Sequence, residues 1–154
     1  MLNEQTLEKL HALKLQGMAA AFREQLQSSA CDALSFAERF GILVDRQWDW
    51  KEDARMKRYL RVAKLKLDAC VEDIDFKAPR GLDQSVMMKL ISGDWIKRHQ
   101  NVIIIGPTGV GKTFLACALT NKACREGYGS LYFRLPRLLQ DLALAKGDGR
   151  YASL

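Results

Sequence analysis

Apolar and polar residues in the first part of the chain alternate with the period of an α-helix. Between residues 3 and 28 the apolar positions are Leu7, Leu10, Leu13, Leu15, Met18, Phe22 and Leu26. Gly17 lies inside this run, so we expect a break or kink there between two short helices. The pattern therefore predicts that the protein begins with helices.

A second helical pattern follows a polar stretch at residues 28–32, which is typical of a loop. Ser35 and Glu38 have the spacing of a capping box, in which each side chain bonds the other residue's backbone N–H group. The apolar side of this helix carries Phe36, Phe40, Leu43 and Val44. We expect the helix to continue, with or without a kink near Trp48, into a basic stretch whose apolar stripe is Met56, Tyr59, Leu60, Ala63 and Leu67.

The helical pattern is lost between residues 69 and 81, where Pro79 and Gly81 indicate a linker. Because a domain boundary commonly falls in such a stretch, the chain divides into three parts. These are a helical N-terminal region at 1–68, a linker at 69–81 and a second domain at 82–154.

The second region alternates predicted helices and strands. Asp83 can cap a helix over 84–92, and a helix is also predicted over 112–125. Residues 101–105, which are continuously apolar from Val102 to Ile105, predict a strand that is buried on both faces. A second strand is predicted over 130–135, and Pro136 then begins a helix whose inward residues are Leu138, Leu139, Leu142 and Ala145. This order predicts an α/β domain with a parallel sheet.

A glycine-rich motif connects the first of these strands to the helix after it. Its eight residues follow the pattern G-x-x-x-x-G-K-T and are Gly106, Pro107, Thr108, Gly109, Val110, Gly111, Lys112 and Thr113. Glycines let successive N–H groups turn toward one anion, and the helix N-terminus adds its positive dipole end. In this reading Lys112 contacts the β- and γ-phosphates of a nucleotide, and the Thr113 hydroxyl holds Mg²⁺. The alternative is a glycine-rich turn that only joins a strand to a helix.

The 154-residue chain carries a net charge of +6, and its basic residues are concentrated in one segment. Residues 46–66 contain eight basic and three acidic side chains. At helical spacing they form two rows, one of Lys51, Arg55 and Arg58 and another of Lys57, Arg61 and Lys64. These rows fit two interpretations: a solvated basic helix, or a surface that neutralises DNA phosphates with Tyr59 or Trp48 beside a sugar or base.

Neither the cysteines nor the apolar segments indicate secretion or a membrane. The four cysteines include no C-x-x-C pair, so a disulfide framework or zinc site is not expected. Cys117 and Cys124 are expected to be small buried residues on one helix face. The N-terminus lacks a signal-peptide pattern, and no apolar stretch is long enough to span a membrane. We therefore expect a cytoplasmic protein.

Several blocks of the sequence together resemble the IstB-type helper ATPases of bacterial insertion sequences, in the AAA+ superfamily near the DnaC helicase loaders. These blocks are residues 13–25, the basic stretch 55–66, Glu72–Phe76, the glycine-rich segment 101–116 and residues 123–127. The resemblance covers nearly the whole chain. It implies an ATP-dependent partner of a transposase that assembles as a homo-oligomer on duplex DNA. It also implies that Gly106–Thr113 holds ATP and Mg²⁺, with residues 51–66 as candidate DNA contacts.

Hydrolysis of ATP needs an acid at the end of a second strand, which holds Mg²⁺ and helps to orient the attacking water. Downstream of Lys112 the only acids in or after a predicted strand are Asp141 and Asp148, and neither has a suitable context. We therefore expect the chain to correspond to the N-terminal part of such an ATPase, truncated at the C-terminus, with an incomplete sheet. Binding of ATP is favoured over hydrolysis. The alternatives are a non-catalytic DNA-binding or oligomerisation fragment with a vestigial P-loop, and a relative of the helicase loaders.

Overall fold

The computed structural model describes residues 2–28, 31, 33–79 and 81–151. Across those residues the regular elements are helical: α1 (Leu2–Ala12), α2 (Gln16–Gln27), α3 (Phe36–Ala63), a 3-10 turn (Val71–Asp73), α4 (Gln84–Ile91), α5 (Asp94–Lys97), α6 (Lys112–Arg125) and α7 (Leu135–Gly147). They belong to two compact units, Met1–Arg58 and Tyr59–Leu154.

In the first unit, α1 and α2 pack against each other as a helical hairpin. The break between them lies at residues 13–15, where Lys14 adopts a left-handed backbone conformation with φ of 59°. The N–H of Leu15 then bonds the carbonyl of Leu10 at 2.8 Å and closes the turn. The expectation that the break falls at Gly17 is therefore wrong, since Gly17 lies within α2.

Gly17 is instead a point of close approach between α2 and α3. It is buried, and a β-carbon added there would lie 2.5 Å from the Arg46 carbonyl oxygen and 2.9 Å from the Gln47 α-carbon. The neighbouring Met18 N–H donates to the Gln47 side-chain oxygen at 3.2 Å. A side chain at position 17 would separate the two helices, so glycine serves here for close packing rather than for a bend.

The capping box at the start of α3 is confirmed. The Ser35 N–H donates to the Glu38 carboxylate at 2.8 Å, and the Glu38 N–H donates to the Ser35 hydroxyl at 3.3 Å. Hydrogen bonds from the Ser35 hydroxyl and backbone N–H hold the pKa of Glu38 below its ordinary value. From there α3 runs without interruption to Ala63, as expected for a helix that continues into the basic stretch.

The core of the second unit forms where residues after α3 pack against α6. Its buried residues are Ala69, Val71, Ile74, Met87, Cys117, Ala118 and Leu119. The segment 69–81, for which a linker was predicted, thus supplies part of this core. The residue ranges of the two compact units divide between Arg58 and Tyr59, inside α3. Pro79 and Gly81 correctly indicated a stretch without helix. The sequence pattern alone did not reveal that its apolar residues are covered by α6.

The predicted helix ends of the second unit are largely confirmed. The Asp83 carboxylate caps α4 by accepting from the N–H groups of Ser85 at 2.7 Å and Val86 at 3.3 Å. The pKa of Asp83 is held below its ordinary value by hydrogen bonds from the side chain and backbone of Ser85 and from the Val86 N–H. Helix α6 has the expected bounds, and Cys117 and Cys124 on it are fully buried free thiols.

Helix α7 confirms most of the inward positions expected after Pro136. Ala145 is buried, and Leu138 and Leu142 are half-buried. Leu139 was also expected to face inward, but its side chain is 56% exposed. The covered face of α7 therefore includes fewer of its leucines than the sequence pattern predicted.

Neither predicted strand is paired within the described residues, and those residues contain no β-sheet. Ile103 and Ile105 are 81% and 89% exposed, whereas Val102 and Ile104 are half-buried. This alternation fits an extended segment with one covered face, so the expected burial on both faces is wrong. An apolar run can be recognised locally, but a strand also needs a neighbouring segment to share its backbone hydrogen bonds.

Candidate functional site

The glycine-rich motif forms the turn that leads directly into α6. Gly109 and Gly111 have φ of 89° and 96°, left-handed values that glycine adopts without steric cost. Gly111 is the residue before the first turn of α6 and provides no side-chain cap. The first N–H groups of a helix have no partner within the helix. At α6 they are accordingly suited to an anionic ligand.

The Lys112 side chain folds over this turn. Its ammonium group donates to the carbonyl oxygens of Gly106 at 2.7 Å and Pro107 at 2.6 Å. The positive charge of Lys112 therefore lies at the N-terminus of α6, where the helix dipole is also positive. Thr113 is half-buried at the second position of the helix. The remaining motif residues, Thr108, Gly109 and Val110, complete the turn between these two groups.

A cavity of about 320 Å³ lies next to this turn within the second unit. Lys112 and Val110 form part of its wall, and the other lining residues are Asp73, Ile74, Asp75, Gly81, Leu82, Ile104, Ile105, Phe114 and Leu115. Its lining is largely apolar and includes two acidic residues, Asp73 and Asp75. Such a mixture suits a flat, apolar group that carries a few hydrogen-bonding atoms.

Sequence reasoning missed the contribution of residues 73–75 and 82 to this cavity. The block Glu72–Phe76 was noticeable in the sequence, but its assignment to a linker removed it from the site. In the structure the 3-10 turn packs against α6, and the Arg125 guanidinium donates to the Glu72 carboxylate at 2.7 Å. Two hydrogen bonds hold the pKa of Glu72 below its ordinary value. The larger effect comes from the Glu72 backbone N–H and the smaller from the Arg125 side chain.

The described residues contain no group of three or more His, Cys, Asp or Glu side chains arranged to hold a metal ion. Among the helices of the described part of the chain, none combines the length and the apolar composition needed to cross a lipid bilayer.

The two basic rows are exposed, as the amphipathic pattern predicted. The first row is Lys51, Arg55 and Arg58, all in the first unit. The Arg55 guanidinium also bonds Glu52 at 2.5 Å, which reduces its free charge. In the second row Lys57 and Arg61 lie on α3, whereas Lys64 follows the end of the helix. Trp48 is 67% exposed, so an aromatic face is also open on this helix.

A glycine-rich turn before a helix, with lysine at the first helical position, is typical of P-loop phosphate-binding proteins. Comparison with known proteins narrows this class. Residues 8–154 match the family described as IstB-like ATP binding protein. The chain belongs to this family, whose α/β character agrees with the predicted fold class, although the described residues form no sheet.

Individual relatives support the same assignment. The chain is 51% identical over its full length to the insertion sequence ATP-binding protein y4pL of Sinorhizobium fredii, of which it covers 63%. It is 49% identical over 98% of its length to the ATP-binding protein of insertion sequence IS1162 from Pseudomonas fluorescens, covering 66% of that protein. Identity to the IS21 protein of Pseudomonas aeruginosa is 32% over 141 residues. The chain thus spans between 53% and 66% of the length of these three relatives.

Proposed function

We propose that this protein binds ATP together with Mg²⁺ at the turn Gly106–Thr113. The observation that carries the proposal is the position of the Lys112 ammonium over a glycine turn at the N-terminus of α6. A triphosphate would replace the two loop carbonyls as the partner of this ammonium. The first-turn N–H groups of α6 would bind its oxygens, and the Thr113 hydroxyl would contact Mg²⁺.

The neighbouring cavity is suited to the nucleoside part of the ligand. Ile74 and Leu82 provide apolar surface for a base, and Asp73 and Asp75 would provide hydrogen-bond acceptors. Its volume of about 320 Å³ lies in the range of small-molecule pockets. Phosphates on the turn and a base in the cavity would therefore occupy one continuous site.

We limit the proposed activity to binding. Hydrolysis would require an acid that holds Mg²⁺ and an additional group that orients the attacking water. Asp141 and Asp148, the acids considered from the sequence, do not line the cavity beside Lys112. The Asp148 carboxylate instead accepts hydrogen bonds from Arg150, which hold its pKa below the ordinary value.

Binding should depend strongly on the β- and γ-phosphates. We expect Mg-ATP to bind at least about 100-fold more tightly than AMP, because AMP lacks the charge-assisted hydrogen bonds to Lys112 and the first turn of α6, each worth about 1.5–3 kcal/mol. Isothermal titration calorimetry on the full chain measures both affinities. Equal affinities would mean that the cavity binds the nucleoside and that the glycine turn contributes nothing.

The names of the relatives suggest the process that this site would serve. They are ATP-binding proteins of insertion sequences. We propose that the protein assists a transposase in DNA transposition, with duplex DNA as a second partner and with assembly as a homo-oligomer. Its net charge of +6 favours an acidic partner such as DNA.

A second candidate function is non-catalytic DNA binding by α3, and the exposure of its basic rows favours it. We expect the triple variant Lys51→Gln, Arg55→Gln and Arg58→Gln to bind duplex DNA at least about tenfold more weakly than the unchanged chain. Its slope of log affinity against log salt should fall by about 2.7, because each phosphate contact contributes about 0.9. Fluorescence anisotropy with a labelled duplex measures both quantities.

A variant with Lys9, Lys14 and Arg23 changed to Gln removes the same charge from other exposed positions of the first unit. An equal loss of affinity in this control would attribute the effect to net charge alone. Repeating the titration with Mg-ATP separates the two candidate functions. DNA affinity that responds to ATP supports the ATP-dependent role, whereas indifference to ATP supports the non-catalytic one.

A further inference from the structure

A second cavity, of about 410 Å³, lies in the second unit and is strongly basic. It is formed where the residues after α3 meet the start of α7. Six of its lining residues are cationic or aromatic: Lys64, Lys66, Tyr132, Phe133, Arg134 and Arg137. Lys64 and Lys66 lie in the segment 51–66 that the sequence indicated as a candidate DNA contact, whereas the other four residues were not identified from the sequence.

The four cations of this cavity have no ion-pair partner within the part of the chain that the structure describes. All four side chains are exposed. Asp141 also lines the cavity, so its four positive charges face one negative charge. Some other cations of this unit are paired, as Lys122 is with Glu126 at 3.1 Å. An anionic ligand would relieve the repulsion among the four.

Helix α7 adds to the positive potential of the cavity. The cavity contains Arg134, the residue that precedes α7, and its side chain makes no capping hydrogen bond. The 13-residue helix therefore directs the positive end of its dipole toward the same group of cations. A phosphate is the anion that such a combination of helix end, arginines and lysines suits best.

The aromatic residues distinguish this cavity from a simple phosphate site. Phe133 is 55% exposed between the half-buried Tyr132 and the cationic Arg134. The backbone of this segment is fixed, since the Tyr132 N–H donates to the Ala63 carbonyl at 2.9 Å. An exposed aromatic ring held beside cations is the arrangement on which proteins stack the unpaired bases of a single strand. Bases within a duplex are already stacked and could not use this ring.

We infer that this cavity binds a segment of single-stranded DNA, with its phosphates on the four cations and a base on Phe133. The choice of DNA rests on the proposed role in transposition. The site is separate from the ATP-binding turn, and it also differs from the Lys51, Arg55 and Arg58 row, which is assigned to duplex DNA. The protein would then have two DNA-binding surfaces with different preferences for strand state.

The test compares two double variants of the full chain. Arg134→Gln with Arg137→Gln removes two cations of the cavity, whereas Lys89→Gln with Arg98→Gln removes two exposed cations elsewhere in the same unit. Anisotropy with labelled oligo(dT) should show at least about tenfold weaker binding for the first variant. Its slope of log affinity against log salt should be lower by about 1.4, since each single-strand phosphate contact contributes about 0.7.

The control variant should remain within about twofold of the unchanged chain. Similar losses in the two variants, or no loss in the first, would overturn the assignment.

Phe133→Leu provides a second test that does not alter charge. We expect it to weaken oligo(dT) binding about tenfold, because one base–aromatic contact is lost, and to leave duplex affinity unchanged. Equal weakening of both probes, or of neither, would contradict a single-strand site. Mg-ATP affinity, measured on the same samples, distinguishes failure of this inference from failure of the proposed nucleotide site, since neither change touches the P-loop.

Discussion

Replacing Lys112 by alanine is expected to lower Mg-ATP affinity at least about 100-fold. Its ammonium is the positive side-chain group at the glycine turn and would bind the β- and γ-phosphates, so its loss removes charge-assisted hydrogen bonds as well as the charge. Calorimetry or the fluorescence of a labelled ATP analogue measures the change. The fold should be retained, because the two bonds that Lys112 makes to loop carbonyls are exposed.

Lys89→Ala is the matched control for this variant. Lys89 is an exposed lysine of the second unit, on α4, and does not line the cavity beside the glycine turn. ATP affinity in this control should match that of the unchanged chain. If Lys112→Ala folds normally and binds Mg-ATP as tightly as the unchanged chain does, the proposed site is wrong.

Replacing Gly17 by alanine should reduce the free energy of unfolding by about 2 kcal/mol, within the usual range for overpacking. The new methyl group would lie 2.5 Å from the Arg46 carbonyl oxygen, and that atom belongs to the backbone of α3 and cannot rotate away. Either α2 or α3 must move, which would also disturb the bond between the Met18 N–H and Gln47. Urea denaturation followed by circular dichroism measures the loss.

Gly41→Ala is a close control, since Gly41 also lies inside a helix and a β-carbon there meets no atom within 4 Å. Alanine is favoured over glycine in a helix by about 0.5–1 kcal/mol, so this variant should be slightly more stable. We therefore expect the two substitutions to change the free energy of unfolding in opposite directions. An increase in stability for both would show that α2 and α3 do not approach closely at Gly17.

Features that depend on neighbouring residues were predicted well from the sequence. The capping box of Ser35 and Glu38 and the Asp83 cap involve hydrogen bonds within three residues, so the local pattern contains all of the necessary information. Gly17 shows the limit of such reasoning. A glycine in a helical pattern can mean a bend or a close contact, and only the position of α3 reveals which one applies.

Features that depend on distant contacts were predicted less well. The burial of Val71 and Ile74 requires α6, which lies about forty residues further along the chain. Residues 101–105 have the composition of a buried strand, but pairing and coverage need other segments, and Ile103 and Ile105 remain exposed. The local pattern shows which residues are apolar but does not show which segment would pair with them.

The candidate nucleotide site shows the same division. Gly106–Thr113 is contiguous, so its motif was recognisable at once. Asp73 and Leu82 reach the neighbouring cavity only through the folding of the 3-10 turn onto α6. The basic cavity could not be found from charge runs either, because Arg134 and Arg137 are about seventy residues away from Lys64 and Lys66 in the sequence.

Hydrogen exchange of the full chain, with and without Mg-ATP, tests the central proposal most directly. Ordering of the glycine turn and filling of the adjacent cavity should slow amide exchange in peptides that cover residues 106–115 and 71–76. Peptides from α1 and α2 should exchange at unchanged rates. Unchanged exchange at residues 106–115 under saturating Mg-ATP, or protection confined to other regions, would contradict the proposal that this turn binds the nucleotide.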